Sequence, residues 1–280
     1  MDYDPTLRAL FFPGEAAPVP DFSAGWERDA ICAELSRLAY VGFERGERSR
    51  LEAILAAAGF ASPECFHNPR TGAQGFATSS GGTAYVALRG TQITSILDLL
   101  ADALAIPVRW DGAGRVDWGF WNAYRSIRAP IETWLDRTKP ARLVITGHSL
   151  GAAMATLMAA LHPEAELVTF GSPRVGTKAF TAMFGSDRVV RRYVDCIDSV
   201  PKLPPPLGYA HVREMIYVDG KGTAHNPPPD AAALKADRRS ARHAFRQRFG
   251  FKFSNVLFRS GADHAPVNYL SAVLGRRADP

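Results

Sequence analysis

Apolar residues along this chain fall into two alternating patterns, short continuous runs and longer amphipathic stretches. The short runs, rich in β-branched residues, predict strands at 75–78, 83–88, 141–146, 166–170, 189–194 and 212–218. The stretches with apolar residues three and four apart predict helices at 26–41, 47–58, 93–105, 118–137, 152–158 and 177–184. Strands that alternate with helices predict an α/β protein with a mainly parallel central sheet flanked by helices. Ligands are then expected at the carboxyl ends of the strands.

The length of 280 residues and the 46% hydrophobic content predict one α/β domain over residues 1–280. Residues 1–25 contain four prolines and are expected to form an extended arm. The first residues lack the basic start and apolar core of a secretory signal, and no apolar run reaches membrane-spanning length. We therefore expect a soluble protein without a transmembrane segment, cytoplasmic by default, with secretion without a signal left open. Three widely spaced cysteines predict neither a disulfide framework nor a metal site.

The net charge of +5 comes from one segment. Residues 235–252, within an insertion at about 221–252, hold seven basic residues and one acid, a local charge of 7 − 1 = +6. Asp230 is expected to cap a helix here, with an apolar stripe that consists of Leu234, Ala241, Phe245 and Phe249. A surface helix with a solvated basic face is the first interpretation, and contact with anionic lipid is the second. No nucleic-acid partner is expected, because no recognition helix or aromatic-studded strand accompanies the charge.

The pentapeptide Gly147-His148-Ser149-Leu150-Gly151 stands between a predicted strand and a predicted helix. Glycines two positions on either side of Ser149 allow a sharp turn that presents the hydroxyl at the strand's carboxyl end. The sequence therefore predicts a nucleophilic serine; the alternative is an ordinary glycine-rich turn.

A serine hydroxyl needs a histidine to accept its proton and a carboxylate to orient that histidine. In hydrolases of this topology the chain order is serine, acid, histidine. Asp195 and Asp198 are the acidic candidates near the last strands, and Asp198 opens a proline-stiffened loop. His264, in a late loop before an apolar helical tail, is preferred over the other histidines after Ser149, which are His162, His211, His225 and His243.

The reaction also needs two donors for the oxyanion that forms on the substrate. The N–H of Leu150, directly after the nucleophile, is one candidate. Thr91 follows the strand predicted at 83–88 and offers its amide and its hydroxyl. A helix N-cap is the structural alternative for Thr91, and the two roles are compatible.

Seven short motifs, taken in order, resemble the class 3 lipases, the family of the fungal triacylglycerol lipases with the α/β-hydrolase fold. They are Leu88-Arg89-Gly90-Thr91, Val116 to Phe120, Gly147 to Gly151, Thr169 to Gly176, Asp198 to Pro205, Gly208 to His211, and Asp263-His264. The resemblance implies that Ser149 is the nucleophile, Asp198 the acid and His264 the base. It also implies that Thr91 and Leu150 form the oxyanion hole.

In the family, the region at about 91–112 forms a lid over the active site. Five apolar residues of this region fall on one helical face: Ile93, Ile96, Leu97, Leu100 and Leu104. A closed lid would lay this face over Ser149. At a lipid surface the lid would open and turn the same face toward the lipid. The alternative is an ordinary amphipathic helix packed on the core.

Together these features predict a carboxylic ester hydrolase, foremost a lipase on acylglycerols that works through an acyl-enzyme at a lipid–water interface. No metal or cofactor is required by this chemistry. The alternatives are a phospholipase A1 or a short-chain esterase on the same triad. A catalytically silent, lipase-like binding protein is the alternative from another functional class.

Overall fold

The structure is a computed structural model, and it describes residues 2–89, 106–250 and 252–277. Its strands are β1 Glu64–His67, β2 Gln74–Ser80, β3 Thr83–Arg89, β4 Pro107–Arg109, β5 Arg115–Asp117, β6 Arg142–His148, β7 Glu166–Phe170, β8 Gly176–Thr177, β9 Val190–Asp195, β10 Tyr209–Ala210, β11 Ile216–Val218 and β12 Ala224–His225. Its helices are α1 Leu7–Phe11, α2 Arg28–Leu38, α3 Arg48–Ala57, α4 Trp118–Thr138, α5 Leu150–Leu161, α6 Lys178–Thr181, α7 Ala231–Phe249, α8 Arg259–His264 and α9 Pro266–Val273. The helix expected at 93–105 lies outside the described residues.

Eight strands form the central sheet, in the order β1-β2-β3-β6-β7-β9-β11-β12. The five strands β3, β6, β7, β9 and β11 run parallel, and the edge strands β1, β2 and β12 pair antiparallel. The mainly parallel sheet predicted from the sequence is therefore confirmed. A second, antiparallel sheet of two- and three-residue strands has the order β10-β8-β5-β4, and the apolar pattern did not predict it.

Alternate residues of the central strands are buried in two different layers, since successive side chains of a strand point to opposite faces. Val86 and Ile145 pack with apolar residues of α4 and α5. Their neighbours Tyr85 and Val144 pack with residues of α2, α3 and α9. Helices thus cover both faces of the sheet, which leaves the carboxyl ends of the parallel strands as the edge where a site can open.

Residues 2–25 do not form the extended arm that the prolines suggested. They contain α1 and the 3₁₀ turn Pro13–Glu15, and the Thr6 hydroxyl caps α1 by accepting from the Ala9 N–H at 3.1 Å. Pro13 stands at the first position of its turn, where proline is well tolerated because no N–H partner is required. Tyr3 is buried at 5% exposure and ties this segment to the C-terminal helices.

The basic segment forms the helix predicted for it. The Asp230 carboxylate caps α7 by accepting from the Ala233 N–H at 2.8 Å, and Ala241 and Phe245 are buried. Two other elements are shorter than predicted: the helix expected at 177–184 ends at Thr181, and the strand expected at 212–218 begins at Ile216. None of the described helices combines the length and the apolar content needed to cross a membrane.

Candidate active site

Ser149 lies in the tight turn between β6 and α5. Its backbone has φ 59° and ψ −127°, a strained conformation that non-glycine residues rarely adopt. A Cβ on Gly151 would lie 2.0 Å from the Leu88 carbonyl oxygen, and one on Gly147 would lie 2.4 Å from the Gly151 oxygen. Both glycines are therefore required by close backbone approach, and together they hold the serine at the carboxyl edge of the sheet.

The three side chains predicted as a triad are linked by two hydrogen bonds, with His264 between Ser149 and Asp198. The Ser149 hydroxyl and His264 Nε2 are 3.0 Å apart, and His264 Nδ1 is 2.8 Å from Asp198 Oδ2. All three residues are buried, with exposed fractions of 4% or less. They come from three different elements of the chain, so the fold alone brings them together.

The direction of these hydrogen bonds follows from the chemistry of the partners. An ionised carboxylate only accepts, so the proton between Asp198 and His264 is carried by Nδ1. In the neutral imidazole Nε2 is then left with its lone pair, and the Ser149 hydroxyl donates to it. This is the tautomer that can remove the serine proton.

Asp198 stands in the turn just beyond β9, and two donors besides His264 hold its carboxylate. The Val200 N–H donates to Oδ1 at 2.9 Å, and the Tyr269 hydroxyl donates to Oδ2 at 2.6 Å. Asp195, the other acidic candidate, ends β9 and pairs with Arg277 at 2.5 and 3.1 Å. Asp198 therefore contacts the histidine, whereas Asp195 takes part in a buried ion pair with the C-terminal segment.

The contact of Tyr269, on α9, with Asp198 was not predicted from the sequence. Burial, and next to it the negative charge of Asp198, raise the pKa of Tyr269 well above its ordinary value, so the hydroxyl keeps its proton and donates. Its oxygen also accepts from the Asp195 N–H at 3.0 Å. In the sequence Tyr269 is one of several apolar residues of the tail. The available signal was that a buried tyrosine hydroxyl needs a polar partner.

His148, the residue before Ser149, is hydrogen-bonded to the backbone of His264. A carbonyl only accepts, so His148 Nε2–H donates to the His264 carbonyl at 2.7 Å, and Nδ1 accepts from the Tyr40 hydroxyl at 2.8 Å. Burial, and then the charge of His264, lower the pKa of His148 well below its usual value. Because the two rings lie only 4.5 Å apart, a neutral His148 would not repel a positive charge on His264.

Asp263, directly before the base, fixes α8 to the loop of the acid. Its carboxylate accepts from the Tyr3 hydroxyl at 2.6 Å, from Arg259 Nε at 3.1 and 3.2 Å, and from the Ile197 N–H at 2.9 Å. Ile197 is adjacent to Asp198, so this buried network sets the distance between acid and base. The prediction from sequence gave Asp263 no role of its own.

The remaining histidine candidates lie in other environments. His162 pairs with Glu132 and Glu164, and His225 pairs with Asp219. His211 donates to the Pro201 carbonyl, and burial, then Arg192, lower its pKa to about 3. His243 is exposed on α7. None of these four is hydrogen-bonded to Ser149 or Asp198, which agrees with the preference for His264.

Of the two residues predicted for the oxyanion hole, the structure describes Leu150. It is the first residue of α5, where a helix leaves its N–H groups without intrahelical partners. β3 ends at Arg89, whose Cα partner in β6 is His148. Thr91 lies outside the described residues, and so do the predicted lid residues Ile93, Ile96, Leu97, Leu100 and Leu104. Over the described ranges no group of three or more histidine, cysteine or acidic side chains could hold a metal ion.

The model of a known protein family, described as lipase (class 3), matches residues 85–208. A secreted mono- and diacylglycerol lipase A of Penicillium camembertii is 32% identical over 165 residues, which are 54% of this chain and 53% of the relative. A rice phospholipase A1-II 4 is 35% identical over 40% of this chain and 32% of its own length. The chain spans about half the length of the Penicillium relative and less than half the length of the Fusarium solani and Rhizomucor miehei relatives.

Among solved structures, a triacylglyceride lipase of Rhizomucor miehei matches with a TM-score of 0.55 and 25% identity. The match covers 68% of this chain and 77% of that one. The α/β-hydrolase fold implied by the motifs is confirmed by this likeness and by the parallel sheet.

The comparisons correct one prediction, the cytoplasmic location. Relatives named as secreted include the Penicillium protein and a Fusarium solani mono- and diacylglycerol lipase that is 38% identical over 36% of this chain and 34% of its own length. These relatives point to the outside of the cell, so the cytoplasmic prediction is wrong. It rested on what the first residues lack, and such a lack does not indicate any compartment.

Proposed function

We propose that this chain is a member of the class 3 lipase family and a serine hydrolase that cleaves the ester bonds of acylglycerols. One observation carries the proposal: Ser149, His264 and Asp198 form a continuous hydrogen-bonded chain at the strained turn after β6. The names of the relatives, which include mono- and diacylglycerol lipases, support the substrate class. We regard residues 1–280 as one catalytic domain.

His264 acts first as general base and then as general acid. Nε2 takes the proton of Ser149 as Oγ bonds to the ester carbonyl carbon, and Asp198 stabilises the imidazolium. His264 then gives that proton to the departing alcohol as the ester C–O bond breaks, which leaves Ser149 acylated. Water then attacks the acyl carbon and gives one proton to Nε2. The bond between the acyl carbon and Ser149 Oγ breaks as Nε2 returns that proton to Oγ, which releases the fatty acid and restores the serine hydroxyl and the neutral histidine.

Two N–H groups would stabilise the oxyanion of each tetrahedral intermediate. The Leu150 N–H, at the start of α5, is one donor in this proposal, and the helix dipole favours negative charge there. Thr91 supplies the second donor through its amide and its hydroxyl. The Thr91→Ala variant removes the hydroxyl and keeps the amide. A fall in kcat of about 100- to 1000-fold, which is typical for loss of one oxyanion donor, would assign the contribution to the hydroxyl, and an unchanged kcat would assign it to the amide.

The substrate meets the site at a lipid–water interface in this proposal. The apolar face with Ile93, Ile96 and Leu100 gives the region at 91–112 the character of a lid that exchanges contact with the site for contact with lipid. Activity is then expected to rise when a substrate passes from the dissolved to the emulsified state.

A phospholipase A1 activity is the second candidate, and two observations favour it. The chain resembles a rice protein named a phospholipase A1, and α7 presents a positively charged surface suited to phospholipid headgroups.

Hydrolysis assays over a panel of substrates test the proposal. The panel consists of triolein, diolein, p-nitrophenyl esters of increasing chain length, and phosphatidylglycerol, each with the wild type and with Ser149→Ala. We expect release of fatty acid from the acylglycerols by the wild type and none by the folded variant. Absence of ester hydrolysis by the wild type, or equal hydrolysis by Ser149→Ala, would contradict the assignment.

A further inference from the structure

Four basic side chains of α7 form a positive stripe on one face of the helix. Lys235, Arg239, Arg242 and Arg246 are spaced four, three and four residues apart, which places them on the same side. All four are exposed, and in the part of the chain that the structure describes none of them forms an ion pair. The uncompensated charge is therefore available to a partner.

The positive stripe lies beside the loop of the catalytic acid. Arg238 on α7 donates through Nε to the Cys196 carbonyl at 3.1 Å, and Asp237 accepts from the Cys196 thiol at 3.2 Å. Cys196 is two residues before Asp198. The exposed Lys202, in the same loop, has its pKa lowered by partial burial and then by the nearby charges of Arg238 and Arg242. The positive surface thus extends from α7 to the carboxyl edge of the sheet.

Large apolar side chains are exposed in the two loops next to this charge. Leu207 in the acid loop is 86% exposed, and Phe253 and Leu257, in the segment that joins α7 to the helix of His264, are 104% and 79% exposed. Phe258, the N-cap residue of that helix, is 68% exposed. Water is an unfavourable surrounding for such side chains, so this pattern of apolar groups beside uncompensated positive charge indicates an interface partner.

We propose that the positive stripe and the apolar residues Phe253 and Leu257 dock the protein on an anionic lipid surface. Arginine and lysine side chains attract the negatively charged headgroups, while the apolar side chains enter the boundary between headgroups and acyl chains. A nucleic acid would match the charge but would leave the aliphatic and aromatic side chains in water. The inference rests on the proposed function, because docking serves catalysis only where the substrate is a lipid.

Vesicle sedimentation with the folded Ser149→Ala protein measures docking without turnover. The probes are phosphatidylcholine vesicles with and without phosphatidylglycerol, at low and at high salt. We expect tighter binding to the anionic vesicles, and weaker binding as the salt concentration rises. Replacing Arg239, Arg242 and Arg246 with Gln should weaken binding to anionic vesicles on the order of 100-fold at low salt.

The matched control replaces Arg137, Lys139 and Arg142 with Gln, which removes the same charge at the opposite end of β6 and should leave vesicle binding unchanged. The Phe253→Ser/Leu257→Ser variant should weaken binding to both vesicle types. Equal binding of both vesicle compositions by the Ser149→Ala protein, or equal loss of binding in the control, would overturn the docking proposal. A duplex DNA serves as a further probe: if the three Gln substitutions on α7 abolish binding to DNA and leave binding to vesicles unchanged, the proposal is also overturned. Hydrolysis of a dissolved p-nitrophenyl ester by the wild type is measured separately. If the wild type hydrolyses the ester but vesicle binding fails the test, the docking proposal is wrong and the proposed function stands.

Discussion

Replacing Tyr269 with Phe removes one hydroxyl from the buried contacts of the acid and keeps the ring that packs near Phe170 and His148. The hydroxyl donates to Asp198 Oδ2 at 2.6 Å and accepts from the Asp195 N–H at 3.0 Å. A hydrogen bond to a charged group contributes about 1.5–3 kcal/mol, and an unpaired buried N–H costs about 1–3 kcal/mol. Because the site relaxes in part, we expect the free energy of unfolding to fall by about 2–4 kcal/mol.

The effect on catalysis should be smaller than the loss of the acid itself. Asp198 keeps the Val200 N–H and His264 Nδ1–H as partners, so its carboxylate stays near the histidine but is less firmly oriented. We expect kcat to fall about tenfold, equal to about 1.4 kcal/mol of transition-state stabilisation, with KM nearly constant. Replacing the acid of a serine triad with its amide costs about 10⁴-fold in kcat by comparison.

Steady-state kinetics on a dissolved p-nitrophenyl ester, with urea unfolding of the same samples, measure both effects. Tyr193→Phe is the matched control, because its hydroxyl donates to the Asp29 carboxylate at 2.5 Å, away from the triad, and its ring stacks on Phe170. The control should lose stability and keep its kcat. A Tyr269→Phe protein with the kcat of the wild type, or a Tyr193→Phe protein with the same loss of kcat, would refute a positioning role for Tyr269.

Two further predictions concern the turn and the surface. Gly151→Ala should destabilise the protein by about 3 kcal/mol or more in thermal or urea unfolding, because the new Cβ meets the Leu88 carbonyl at 2.0 Å; a variant as stable as the wild type would disprove the close approach. His162 and Glu132 share a hydrogen bond, which raises the pKa of His162 and lowers the pKa of Glu132. The pair is therefore charged between their ordinary pKa values of 4.5 and 6.5, and its stabilisation is lost as the pH rises through the raised pKa of His162. The stability deficit of His162→Gln should be largest in that window and shrink by pH 9, whereas a deficit independent of pH would contradict the pairing.

Most central strands could be predicted from the sequence because both of their faces are buried. β3, β6 and β7 are continuous apolar runs, and the structure places them within about two residues of the predicted bounds. The strands β4, β5, β8 and β10 have two or three residues each, too few to display a period of two. They depend on pairing with distant segments, which the local pattern does not record.

The tight turn at Ser149 could be predicted because its requirements are local. The glycines around Ser149 are required by the turn in which it stands, and the chain order reduced the choice of acid and base to a few residues. Asp195 and Asp198 could not be separated by pattern alone, since what distinguishes them is Arg277, which lies 82 residues beyond Asp195 and pairs with it.

The supporting residues escaped prediction because their roles exist only in the folded protein. His148 is next to the nucleophile in sequence, but its partners are Tyr40 and the carbonyl of His264, more than 100 residues away on either side. Asp263 contacts Tyr3 across 260 residues. Such contacts depend on how three distant segments pack, so they follow from the tertiary structure and not from residue types.

Labelling with a fluorophosphonate probe, followed by mass-spectrometric mapping, tests whether Ser149 is the activated nucleophile. Such a probe phosphonylates a serine that a neighbouring base has activated, with loss of fluoride, so the label reports the reactive state of Ser149 independently of the substrate. We expect one label per chain, on Ser149, with labelling greatly slowed in His264→Gln and absent in Ser149→Ala. A folded wild-type protein that stays unlabelled, or that carries the label on another residue, would contradict this expectation.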